Sequence, residues 1–331
     1  MKRREFLKTA ALSTTAVALS RIPPGAEVPE HLRAASSTNA PSLMKRAYGK
    51  TGLQLSIIGF PGLMLSRLDQ EASNRIVAEA FERGVNYFDV APAYGTAEVR
   101  MGPALEPYRK KVVLACKTRA RTRAELEAEL KRSLERLRTD HFDIYQMHHL
   151  VGVERDVDPA LAKGGAIEAM LAAKKEGRIR HIGFSAHTVE SALAALDRFE
   201  FDSVMFPFNF ASMLKAGFGP QVMEKAVQRG IARIALKPGV RGKWTSDEQK
   251  KGDKEFGWMW YQPLTNRHDA ELSWRYSLSQ PITAGMPPHD PTLFRMGLEI
   301  GMQFKPLTPE EEKKVKELAL AVDDPLFPRP E

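Results

Sequence analysis

The sequence predicts an α/β fold, a (β/α)8 barrel of the TIM type, and three observations carry that expectation. Short apolar runs alternate with longer segments of helical periodicity from Leu53 to the C-terminal region. The alternation repeats eight times, which suits a parallel barrel ringed by helices. No GxGxxG pattern follows the first run, which weighs against an open doubly wound sheet.

The runs, in order, are LSIIGF, VNYFDVA, KVVLACK, FDIYQMH, IRHIGFSA, DSVMFPFN, IARIALKP and ITAGMP. Each is short enough for one strand and apolar enough to be covered on both faces. Between them lie amphipathic stretches such as EASNRIVAEAFERG, AELEAELKRSLERL, AIEAMLAAKKEG and VESALAALDRF. Several end in glycine, as helix C-termini often do. One connection is long: residues 241–266, after the seventh run, carry Trp244, Trp258, Trp260 and Tyr261. A loop of that length at a barrel mouth is expected to cover a ligand or to form a small core of its own.

Composition narrows the function. Of 331 residues, 43% are hydrophobic and 27% charged, which is ordinary for a soluble chain with a sizeable core. The net charge of +8 is spread along helices, with Lys and Arg interleaved with Glu, so no nucleic-acid stripe is expected. Cys116 is the single cysteine, which excludes an intrachain disulfide framework and a cysteine-rich metal site. It precedes Lys117 in its strand and so is expected to be a buried structural thiol facing the helices.

The N-terminus differs from the rest. MKRREFLK joins Arg3 and Arg4 to Phe6-Leu7-Lys8 and a short Ala-, Ser- and Thr-rich run. This resembles a twin-arginine export signal, too weakly apolar for a stable membrane span. Residues 1–41 are therefore expected to be signal and linker, and 42–331 the barrel. The implied partner is the twin-arginine translocase, and the implied location is the periplasm or cell envelope.

Four polar residues stand where strands leave the core. Asp89 ends the second run, Lys117 the third and His148 the fourth, while Tyr94 follows Asp89 in the loop. In barrels of this kind, catalytic groups gather at the C-terminal strand ends. A lysine beside a tyrosine favours the phenolate, a carboxylate keeps the lysine charged, and a histidine can share the same substrate oxygen. Together they suit protonation of a carbonyl oxygen while hydride reaches the carbon. His149, adjacent to His148, should point away and serve packing or face solvent.

The stretches YGKTGLQLS, GVNYFDVAPAYG, ACK, IYQMHH and PLTPEEEKKVKEL resemble the aldo-keto reductase family over residues 45–320. The resemblance implies a TIM barrel that uses a nicotinamide cofactor, NADP (NADPH) before NAD, on small-molecule carbonyl or sugar-like substrates. It makes Asp89, Tyr94, Lys117 and His148 the catalytic set, with Tyr94 the general acid. It also implies cofactor contacts at Gly62, Asp89, Ser185, Lys237 and Pro238. Here the sequence departs from the family's habit. Ala186 stands for an Asn, Met205 for a Gln, and Leu236-Lys237-Pro238 for Tyr-Ser-Pro. Pro288 and Met296-Gly297 replace phosphate- and adenosine-binding residues, leaving His289 and Arg295 as the nearby basic groups. The alternative reading is a cofactor-free barrel serving as a binding or regulatory subunit in the cell envelope.

Overall fold

The computed structural model describes residues 43–328; the paired arginines and the linker after them lie outside the described residues. An antiparallel hairpin comes first, β1 (Lys45–Ala47) and β2 (Gln54–Ser56). Then come β3 (Phe60–Pro61), β4 (Tyr87–Asp89), β5 (Val113–Thr118) and β6 (Phe142–Leu150). They are followed by β7 (Ile179–Ala186), β8 (Ser203–Phe206) and β9 (Ala232–Leu236). An inserted hairpin, β10 (Val240–Gly242) and β11 (Gln262–Pro263), precedes β12 (Ala284–Met286). The barrel is the eight-stranded parallel sheet from β3 to β9 in sequence order, with β12 beside β9. It closes through a parallel bridge of Ile58 with Gly285, where Gly59 N donates to Gly285 O at 3.0 Å. All eight apolar runs overlap a barrel strand, as the alternation predicts, although the first shares only Phe60 with β3.

Two apolar layers hold the barrel. Its interior is filled by Tyr87, Ala115, Ile144, Met205, Ile234 and Met286, and Tyr48 and Leu55 of the first hairpin region join them. Tyr48 donates to Ser203 Oγ at 2.6 Å, at the first residue of β8, so this hairpin plugs the N-terminal end. Each fully buried side chain of this size contributes about 1.5–3 kcal/mol. The outer layer lies between strands and helices and includes Cys116, Tyr145, Met147 and Phe184. Cys116 is fully buried there, on the side its place in β5 predicts.

The helices start where side chains can satisfy their open N–H groups. Asp69 caps the helix Gln70–Glu82 by accepting from Ala72 N at 2.7 Å. Thr122 and Glu125 form a capping box at the start of Arg123–Arg136. That helix buries Leu126, Leu130 and Ser133 and leaves its charged residues outward except the half-buried Glu129, so the interleaved charges are mostly a solvated face. Among the described residues no helix is long and apolar enough to cross a membrane.

One strand departs from its expected end. β6 runs two residues past His148, through a register shift between Met147 and Leu150. His149 there takes a left-handed backbone with φ 64°. The extra residue re-aims the chain at the barrel rim, as bulges commonly do beside functional sites.

Candidate functional site

At the C-terminal rim, β4 and β5 bring Asp89 and Lys117 side by side, since Asp89 pairs in register with Ala115 two residues earlier. Lys117 Nζ donates to Asp89 Oδ1 in an ion pair whose side chains are 1% and 5% exposed. The other carboxylate oxygen accepts from Tyr87 OH at 3.3 Å and from Gln146 Nε2 at 3.4 Å. The Lys117 ammonium lies 5.2 Å from the centre of the Tyr94 ring. His148 meets that ring edge-on, with centroids 5.6 Å apart. All four predicted catalytic residues therefore converge.

Electrostatics gives each a distinct state. Burial opposes the Lys117 charge, but Asp89 and then Tyr94 more than offset it, and its pKa rises above the usual lysine value. Burial pushes the Asp89 carboxyl up while Lys117 pulls it down. Tyr94 is raised by burial, against the charge of Lys117 and its hydrogen bond. His148 falls well below the ordinary imidazole value, through burial and then the cations Lys117 and Arg119, so it is neutral near pH 7. The result is a protonated phenol beside a permanent ammonium and a neutral imidazole. Such a set can deliver a proton to an oxygen and steady the charge left behind.

The five cofactor positions fare unequally. Gly62 opens the turn after β3, and a Cβ there would collide with the Asp89 carbonyl, so the turn can lie this close only with glycine. Ser185 is buried, and its Oγ accepts from His149 N at 2.9 Å, which leaves its own proton to donate elsewhere. Ala186 and Met205 are buried without polar groups, so the departures at these positions remove two hydrogen-bond partners. Lys237 holds a left-handed backbone, φ 66°, unusual for a side chain of its kind. That turn is clamped: Val240 N donates to Lys237 O at 3.1 Å, and Ser273 Oγ to Pro238 O. Strain of this sort persists only where neighbours over-determine it.

The insertion accounts for the rest of the rim. Lys237 Nζ sits 4.7 Å from the Tyr261 ring centre and 5.7 Å from that of Trp260. Tyr261 is fully buried and its hydroxyl is 2.9 Å from His289 Nδ1. Arg67 lies 4.0 Å over Trp258, and Trp244 Nε1 donates to Met259 O at 3.0 Å. The four aromatics thus divide: Tyr261 lies in the core and Trp258 packs half-buried against it, Trp244 is half-buried, and Trp260 is exposed. The two basic groups considered for phosphate are already engaged. His289 is buried against Tyr261, and Arg295 grips Glu79 at 2.8–3.0 Å.

Lys237 carries a pH signature. Burial, and then Lys117, pull its ammonium down to about 8. Between there and the usual ~10.4 the unfolded chain binds the extra proton, so wild-type stability gains from rising pH across that window. Lys237→Met is expected to be more stable than wild type near pH 7, and urea unfolding should show the gap narrowing as pH rises toward ~10. A gap that stayed constant would mean the ammonium is not strained by its surroundings.

Two supporting residues escaped the motif reading, Gln146 and Tyr87. Both were marked by period two: each precedes a site residue by two positions and so shares its face. Arg119, two residues beyond Lys117, borders a cavity of about 190 Å³ with Pro92, Ala93, Glu129 and His148. A larger cavity, about 410 Å³, lies at the opposite end of the barrel beside Arg46 and Thr283, away from this cluster.

Comparisons with known proteins agree with this fold. The model of the aldo/keto reductase family matches residues 58–280. "Uncharacterized oxidoreductase YqkF" of Bacillus subtilis is 27% identical over 271 residues, covering 74% of this chain and 86% of that protein. L-galactose dehydrogenase of Arabidopsis thaliana is 32% identical over 168 residues, covering 46% of this chain and 51% of the relative. Among solved structures, the holo form of aldo-keto reductase AKR11C1 from Bacillus halodurans shares the fold with a TM-score of 0.66. It is 24% identical and aligned over 83% of this chain and 96% of its own. With the family model spanning most of the barrel, and the barrel itself in place, the chain belongs to the aldo/keto reductase family and is an oxidoreductase of that type.

Proposed function

We propose that the protein reduces carbonyl groups, or oxidises the corresponding alcohols, on small molecules that include sugar-like compounds, with NADPH as its cofactor and Tyr94 as general acid. The observation that carries this reading is the buried contact of Lys117 with both Asp89 and Tyr94. The likeness to L-galactose dehydrogenase over part of the chain supports the sugar-like class.

The residues present suit a nicotinamide nucleotide in part. Ser185 has a proton to donate to a carboxamide, Lys237 lends positive charge beside Pro238, and Gly62 keeps the backbone low beside Asp89. When bound, the nucleotide supplies the hydride. Tyr94 gives its proton to the carbonyl oxygen, and Lys117 holds the phenolate that remains. Asp89 keeps Lys117 charged and aimed, itself fixed by Tyr87 and Gln146. His148, uncharged, hydrogen-bonds the substrate oxygen without competing as an acid. Trp258 and Trp260 of the insertion shelter the mouth from water. The missing partners at Ala186 and Met205 each forgo about 1 kcal/mol, so nucleotide affinity rests more on Lys237 and the insertion.

Titrating the full chain with NADPH and NADH, followed through tryptophan fluorescence, tests the cofactor step. Saturable quenching is expected, tighter with NADPH. Absence of saturable binding by either nucleotide would favour the cofactor-free subunit instead.

The N-terminal pattern supports export of the folded barrel to the periplasm by the twin-arginine translocase, with nucleotide already bound. Replacing Arg3 and Arg4 together by lysine is expected to leave the protein in the cytoplasm, as cell fractionation would show. Unchanged export of that variant would point to another route.

A further inference from the structure

The cavity beside His148 has a chemistry that the proton-transfer set does not use. Its walls are Pro92 and Ala93 from the loop that carries Tyr94, Arg119 after β5, Glu129 from the helix Arg123–Arg136, and His148. At about 190 Å³ it holds about six waters at ~30 Å³ each, far less than a dinucleotide needs. Two polar atoms of these wall residues, His148 Nδ1 and Glu129 Oε1, are buried with no hydrogen bond among the described residues. Buried polar atoms without partners are rare and call for an occupant. Arg119 makes no ion pair among the described residues and is exposed. After burial, the charges bearing most on His148 are those of Lys117 and Arg119.

Resting on the reductase reading above, we infer that this cavity is the substrate's recognition subsite and that it takes a hydroxylated carboxylate, the tail of a sugar acid. Arg119 receives the carboxylate through paired N–H donors. Glu129 accepts from a hydroxyl next to it, and His148 Nδ1 exchanges a hydrogen bond with another. The reacting carbonyl then lies at Tyr94, on the other side of the imidazole. A neutral polyol fills the same space but leaves Arg119 unmatched, and a plain aliphatic aldehyde leaves Glu129 and His148 unpartnered as well.

Calorimetric titration of the full-length chain with gluconate and with sorbitol, with and without NADPH, tests this directly. Gluconate is expected to bind about tenfold or more tighter than sorbitol, the range a charge-assisted pair supplies. Arg119→Gln should erase that difference by weakening gluconate alone, with Arg119→Lys intermediate. Glu129→Gln should weaken both probes. Equal affinity for the two probes, no binding of gluconate, or gluconate binding untouched in Arg119→Gln would each overturn the assignment. Neither probe has a carbonyl to reduce, so the result is independent of turnover. Gluconate bound tightly by a protein that reduces no aldehyde would instead sink the reductase reading and leave the subsite standing.

Discussion

Tyr94→Phe is expected to lower kcat for aldehyde reduction by about 10²–10⁴-fold, the usual worth of a positioned proton donor. Nucleotide affinity and melting temperature should scarcely move, because the ring and its edge contact with His148 remain. The pH profile sharpens the expectation. Burial raises the phenol above its ordinary value. It therefore stays protonated through neutrality, and reduction should be flat there, falling only once pH exceeds ~10. His148, held neutral, should add no second limb near pH 6–7, where an imidazole of ordinary pKa (~6.5) titrates. A bell with a limb in that region would shift the acid's role to His148.

Lys117→Met should cost both activity and stability. It strands the Asp89 carboxylate, 5% exposed, with Tyr87 and Gln146 as its remaining partners among the described residues. Breaking one side of a buried pair typically costs about 3–5 kcal/mol. Asp89 can escape by taking up a proton. At neutral pH that route costs ~4 kcal/mol, from three units between its usual pKa and the solution. The two figures are comparable, so protonation of Asp89 caps the loss near ~4 kcal/mol at neutral pH and becomes the favoured state as pH falls. Its raised pKa means the folded state binds the extra proton, and the stability deficit should grow with rising pH and shrink toward pH ~4. Adding Asp89→Asn should recover much of the stability but none of the turnover. Chemical denaturation of the two single variants and the double variant across pH would show it. If Lys117→Met alone matched wild-type stability, the pair would not be the buried ion pair described.

How far the sequence could be read differs from residue to residue, for physical reasons. Asp89, Lys117 and His148 were legible because each interrupts an apolar run, and strand periodicity alone puts them at one edge of the barrel. Gln146 and Tyr87 share that periodicity, but a polar residue inside a strand gives no sign of what it touches until the neighbouring strand's register is known. Arg119 interrupted no apolar run: it stands just past the end of β5, and its significance comes from the helix carrying Glu129 and the loop carrying Pro92. The insertion was visible as aromatics in a long loop, yet its division was not. Tyr261 faces His289 and Lys237, and Trp258 faces Arg67, contacts between segments distant in the chain. Arg295 shows the opposite hazard, since a basic residue near a phosphate-binding segment spends its charge on Glu79.

The most direct test of Tyr94 acting as acid in a nicotinamide-dependent carbonyl reductase is a single-turnover experiment. Full-length protein loaded with NADPH is mixed with a small aldehyde, while nicotinamide absorbance and alcohol formation are followed together. The expected result is loss of one equivalent of NADPH per protein, matched by one of alcohol, in wild type but not in Tyr94→Phe. Protein that binds NADPH yet leaves it unoxidised across a panel of aldehydes and sugars, or oxidises it equally fast without Tyr94, would contradict that assignment.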